Sequence, residues 1–307
     1  MSSIRVERNC AAASPGVGRR EGVRRPSARD VLRLGVRQAK VDVRNTLLSW
    51  AIVNYLIPPA VMLLAGRFGS HMSGTADLSI TTVEWLLPGM LTLSVFGIGF
   101  ANMATEIQVE REDGTLMRMR AIPHGVSGYI CGKLLCQCAF AFVMFTLTLA
   151  AGAVVAGTMM PDTPLRWAAA LAWGLLGMVC SVVAGIIVGC LSRTPILPAI
   201  MVFGFGALIF FSGLVLPITE QAGWLQAIAQ VFPLYWLGLG MRSAFLPDGA
   251  VVLELGESWR TLESLAVVGT WTVVLLAVAP VLVRRMVRGV SGSSMAAARQ
   301  RVLAKGY

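Results

Sequence analysis

AAALAWGLLGMVCSVVAGIIVGCL, residues 168–191, runs for 24 residues without a charge. A helix needs about 20 residues to cross a hydrocarbon layer of about 30 Å. The run does not alternate polar and apolar residues, as a barrel strand facing lipid on one side must. A helix satisfies every backbone N–H and C=O within itself, so it is the form such a run takes in lipid. Five further uncharged apolar runs lie at 45–66, 85–105, 134–157, 196–217 and 264–283. Together the six runs predict an all-α polytopic membrane protein with six transmembrane helices.

Composition agrees. Of the 307 residues, 56% are hydrophobic and 14% charged, against roughly 25% charged in a soluble domain. These values exclude a disordered chain, a collagen and a typical cytosolic enzyme. A seventh uncharged stretch, 221–241, is interrupted by Gln221, Gln226, Gln230 and Pro233. We read it, with 218–263 as a whole, as a re-entrant outer hairpin before the sixth span, its aromatic residues at interfacial depth. A seventh crossing would also separate the two basic termini.

Six crossings sort the 26 Lys and Arg sharply. Segments 1–46, 106–133, 192–195 and 284–307 hold 22 of them, and the other side holds Arg67, Arg166, Arg242 and Arg260. Acidic residues divide evenly. The positive-inside rule then places both termini in the cytoplasm. It also accounts for the net charge of +10 without nucleic acid as a partner.

Residues 1–46 contain no apolar core of a cleavable signal. Residues 1–27, rich in Arg, Gly and Pro, read as a flexible basic tail. Residues 28–46 form an amphipathic helix. Arg29, Arg33, Arg37, Lys40 and Arg44 share one arc beside Leu32, Val36, Ala39 and Val43, which suits the inner membrane surface and its lipid phosphates. The transmembrane domain spans 47–290, and 291–307 is a second basic cytoplasmic tail.

No catalytic site emerges. The two histidines, His71 and His124, stand apart, and no H-E-x-x-H or G-x-S-x-G occurs. The phosphate loop G-x-x-x-x-G-K-[ST] is absent, so the chain does not hydrolyse ATP by that route. Cys10, Cys131, Cys136, Cys138, Cys180 and Cys190 form no C-x-x-C pair; they read as small packing residues, neither disulfides nor a metal site. No span carries a charge at its centre. Such a charge costs about 2.5–3.5 kcal/mol on insertion scales and is kept for function, so its absence weighs against an ion-coupled carrier. What the spans offer is mild: Asn54 and Asn102 for interhelical hydrogen bonds or a substrate path, Gly185 and Gly189 for close packing, and Pro58-Pro59 for a kink in the first span.

One polar stretch differs. Residues 105–133 read TEIQVEREDGTLMRMRAIPHGVSGYICGK. Glu106, Glu110 and Asp113 fall at helical spacing after the second span, and Gly114 is placed to end that helix. Leu116, Met117 and Met119 then interleave with Arg118 and Arg120. The pattern suits either docking onto a soluble partner or a solvated loop whose charges enforce topology.

The stretch resembles the signature of permeases of the ATP-binding-cassette (ABC) type-2 export family. The resemblance rests on Glu110, on Glu112-Asp113-Gly114-Thr115-Leu116, Arg118, Arg120 and Pro123, and on Gly132-Lys133-Leu134. A second similarity lies in Phe211-Ser212-Gly213-Leu214 and Pro217, followed by Trp224-Leu225, Pro233-Leu234 and Arg242. Together they cover roughly 30–290.

The resemblance implies six spans, an N-terminal connector helix, a cytoplasmic coupling helix between the second and third spans, and the outer hairpin. It implies an ATPase-coupling interface of Glu106, Glu110, Arg111, Glu112, Asp113, Gly114, Thr115, Leu116 and Pro123, with no catalytic role. It also implies a separate ABC ATPase subunit holding ATP and Mg, a second permease copy or paralogue as dimer partner, and a location in the inner (plasma) membrane among its lipids. The expected activity is export of an amphipathic or drug-like compound, as in antibiotic-resistance exporters. The alternatives are export of a lipid-linked glycan or lipid, an ATP-independent secondary carrier, or a non-transporting assembly factor.

Overall fold

A computed structural model describes residues 52–68, 71–73, 79–112, 125–156, 160–192 and 196–289. The basic tails and the connector helix of 28–46 therefore lie outside the described residues. Helix α1, Ile52–Phe68, includes Pro58 and Pro59 within one continuous helix. A two-stranded antiparallel hairpin follows, β1 His71–Ser73 with β2 Ser79–Thr81, Met72 opposite Ile80.

The next helix begins with a reciprocal cap. Thr81 Oγ1 accepts a hydrogen bond from the Glu84 backbone N–H at 3.3 Å, and the Glu84 carboxylate accepts one from the Thr81 N–H at 2.7 Å. Two of the donors that every helix start leaves open are thereby satisfied. Helix α2, Thr82–Thr92, passes through a π-helical turn, Leu93–Gly97, into α3, Ile98–Glu112. Helix α4 is Gly125–Ala156 and α5 is Pro164–Leu191, capped by Thr163 with Pro164 in its first turn. Then come α6 Ile196–Phe211, α7 Gly223–Val231, α8 Pro233–Phe245 and α9 Thr261–Gly289.

Among the described residues four stretches are long and apolar enough to cross a membrane: Thr82–Glu110, Gly132–Val155, Pro164–Leu191 and Thr261–Met286. Of the six predicted runs, the first and fifth fall short of that length among the described residues. The apolar helical part of the first is Leu56–Arg67. The fifth ends at Phe211 after 16 residues, which span about 24 Å at 1.5 Å per residue. The physical cause is Gly213, whose φ of +73° belongs to the left-handed region where a helix stops.

Helix α5 is the organising element and packs against α3, α9 and α8. A methyl group on Gly185 would lie 2.6 Å from the Phe100 carbonyl oxygen, and one on Gly189 would lie 2.8 Å from Ile107 Cβ. The two glycines thus bring α5 directly onto the α3 backbone, the small-residue packing expected of them. Cys136 and Cys180 are buried and Cys138 and Cys190 half-buried, all as free thiols.

The region read as an outer hairpin holds two short helices separated only by Phe232. Helix α8 is buried almost throughout, against α2, α5 and α9. Helix α7 keeps Trp224, Ile228 and Val231 exposed at spacings of four and three, one apolar stripe of a helix.

Candidate functional site

Glu106 and Glu110 are one helical turn apart on α3, so they share a face. Facing them is Lys133 on α4. Its Nζ lies 2.9 Å from Glu106 Oε2 and 2.6 Å from Glu110 Oε1, and Gln137 Nε2 donates to Glu106 Oε1 at 3.5 Å. Lys133 is only 3% exposed, whereas the two carboxylates are 27% and 16% exposed. A buried ammonium requires paired acceptors, and the two carboxylates supply them.

The cluster joins the end of the second span to the start of the third, where the chain leaves for the polar connection. Arg111 and Glu112 complete the last turn of α3. Asp113, Gly114, Thr115, Leu116 and Pro123 lie outside the described residues. Asn54 lies in α1. Asn102 is buried on α3 and its Nδ2 makes no hydrogen bond, so it supplies no interhelical bond through that atom. Lys133 stands outside the coupling interface expected from the sequence. The signal was there in Gly132-Lys133-Leu134, a lone cation entering an apolar run, 23 residues after Glu110.

The π-helical turn was not predicted. It sits where α2 becomes α3, and a π turn misaligns the helix's own hydrogen bonds. Ser181 on α5 donates to the Val95 carbonyl at 3.2 Å, and Ser94 Oγ lies 2.9 Å from Thr148 Oγ1 on α4. Three spans are thus tied by small hydroxyls at mid-length.

The opposite end of the second span carries a second charged centre. Arg242, at the end of α8, is fully buried with Glu254 as its ion-pair partner through Nε and Oε1. Its Nη1 donates to the Gly213 carbonyl at 3.0 Å, and its guanidinium lies 5.1 Å from the Trp85 ring centre. Arg260 lies 4.7 Å from the Trp236 ring centre, donates to Gln230 Oε1 at 3.3 Å and pairs with Glu263. Arg166 reaches Asp248 at 2.7 Å and the Leu246 carbonyl at 3.3 Å.

Burial pushes the Glu254 carboxyl above its ordinary value of 4.5, against the opposing pull of Arg242. One oxygen is paired, but Oε2 has no partner, so the loss of hydration dominates. A raised acid pKa in the folded state adds stability below the unfolded value and loses it as pH rises through the folded value. As pH falls from neutral toward 4.5, the unfolding midpoint of the wild type should therefore gain on that of Glu254→Gln. A difference constant across that window would contradict the assignment.

Residues 70–281 match the family model described as ABC-2 family transporter protein. The matched region covers well over half of the chain and includes both charged centres. The chain belongs to the ABC-2 transporter family. No curated protein matches it. As an ABC-2 family member the chain is a membrane-embedded transport component and not itself the catalyst. The family works with ABC ATPase subunits, which fits a chain without a phosphate loop. Among the described residues no group of His, Cys, Asp or Glu is placed to hold a metal.

Proposed function

We propose that this protein is the membrane-spanning subunit of an ATP-driven exporter, that it pairs with a second permease, and that each permease docks one ATPase through residues 106–123. The carrying observation is the Lys133–Glu106–Glu110 cluster. It makes the ends of the second and third spans one mechanical unit at the two points where the connection enters and leaves. A push on that connection is then delivered to two spans together, and through Gly185 and Gly189 to α5. Leu116 sits in the ATPase groove, Gly114 permits the turn, and Arg111, Glu112 and Asp113 pair with charges on its surface. ATP and Mg stay in the partner. The cargo is an amphipathic, drug-like compound: the uncharged spans suit apolar contact, and Asn54 and Asn102 lend the path its few polar groups. In this reading both termini are cytoplasmic, the basic helix at 28–46 rests on inner-leaflet lipid, and α7 and α8 form the re-entrant hairpin in the outer leaflet.

The test is to tag the full chain, solubilise native membranes gently and identify what co-purifies. The expected result is a near-stoichiometric subunit with a G-x-x-x-x-G-K-[ST] loop; a stable chain without one overturns the reading. In the same assay Leu116→Asp should insert normally but hold the ATPase about 30-fold more weakly, the loss of a hot-spot contact of about 2 kcal/mol. Unchanged capture by that variant would remove Leu116 from the interface.

A further inference from the structure

Three of the four basic residues on the sparsely charged side, Arg166, Arg242 and Arg260, bind the segment between α6 and α9 to the rest of the molecule. Arg242 is the deepest. From α8 one side chain reaches three separate segments: Glu254 beyond α8, Gly213 after α6 and Trp85 at the start of α2. Space for the guanidinium depends on missing side chains, since a Cβ on Gly238 would lie 3.2 Å from Arg242 Nη1. Yet the pairing is incomplete. Arg242 Nη2 and Glu254 Oε2 are both buried without a hydrogen bond, although each would be hydrated if the segment lifted.

The chain beyond Glu254 is unusual as well. Gly256, Glu257 and Arg260 have φ of +77°, +47° and +42°. Two of these are not glycine, and a left-handed conformation costs such residues of order 1 kcal/mol or more. The loop that delivers Glu254 is thus held in a conformation it disfavours, between a buried ion pair and the first turn of α9. A strained link beside an incompletely satisfied buried pair is the makeup of a two-position element.

We propose that Arg242 and Glu254 form a latch that holds residues 213–256 as one cap over the start of the second span, and that the cap opens as a unit on the 256–260 link while α3, α4 and α5 stay folded. Opening hydrates both orphaned atoms and relieves the left-handed residues. It also uncovers Trp85 and the start of α2. The inference goes beyond the exporter reading and needs neither cargo nor ATPase.

Hydrogen exchange of the full chain in lipid nanodiscs tests it. In the wild type, amides of 213–221, 233–245 and 246–256 should exchange with one common opening rate, faster than those of α3 and α5. Glu254→Ala, which leaves Arg242 buried with neither a counter-ion nor an acceptor for its Nε, should raise that common rate about a hundredfold, the usual consequence of breaking a buried pair. Arg242→Lys, which keeps the charge but cannot reach both Glu254 and Gly213, should raise it in the same three segments. Protection in α3 and α5 should not change in either variant. A cap that exchanges only with α3 and α5 overturns the latch. So does a variant that loosens only 246–256, or one that loosens the whole molecule equally.

Discussion

Lys133→Met should destabilise the full chain by an amount near the low end of the roughly 3–5 kcal/mol lost when one partner of a buried ion pair is removed. The substitution keeps the length of the side chain and removes only its charge. Glu106 and Glu110, one turn apart on α3 beside an apolar run, then lose the ammonium that both contact. Their partial exposure lets water screen part of the repulsion, which keeps the expected value at the low end. The measurement is the unfolding midpoint of the detergent-solubilised chain. Lys133→Arg should recover most of the loss, because a guanidinium can serve two carboxylates at once. Glu110→Gln should cost less than Lys133→Met, since Glu106 still answers the charge. An unaltered midpoint for Lys133→Met would mean that the pair of contacts at 2.9 and 2.6 Å contributes nothing, and the mechanical unit proposed for coupling would lose its support.

Gly185→Val should be comparably severe for a different reason. Its added atoms meet the Phe100 carbonyl oxygen and Met103 Cβ, at 2.6 and 2.8 Å from the first carbon alone. Backbone cannot swing aside as a flexible side chain does, so α3 and α5 must separate. Overpacking of this kind costs typically about 1–3 kcal/mol, and more when backbone must move. Gly204 and Gly206 on α6 provide the control, because nothing lies within 4 Å of a Cβ at either. Alanine there should be neutral or stabilising, by up to about 1 kcal/mol from helix propensity. An equal loss for valine at positions 185 and 204 would show that the cost at 185 does not come from contact between spans.

The two charged centres were legible to different degrees. Glu106 and Glu110 stood out as carboxylates at helical spacing directly after an apolar run, and Glu110 belongs to the family signature. Lys133 belongs to that signature but not to the predicted interface, because a single cation at the edge of a span is what the positive-inside rule predicts anyway. Only the approach of α4 to α3 gives it a second role. Arg166, Arg242 and Arg260 were counted as exceptions to the charge asymmetry, with no reason for their presence. The structure supplies one: each is anchored by carboxylates or carbonyls distant in sequence, and Arg242 by Glu254 twelve residues on. The π turn at Leu93–Gly97 had no sequence signal at all, since LSVFG is as good an α-helical segment as its neighbours.

Hydropathy by itself determined that this chain is a bundle of apolar helices. The solvation cost of a bare peptide group in lipid is local and additive, so 24 uncharged residues declare their state without reference to the rest of the molecule. Arginine placement determined the expected orientation for the same reason, because each charge acts separately at its own loop. Tertiary structure alone decided which glycines admit a neighbouring backbone and which charges meet. These depend on distances between residues far apart in sequence. A buried ammonium or guanidinium is tolerable only when the fold brings its counter-ion to it, and nothing in the order of residues states that distance.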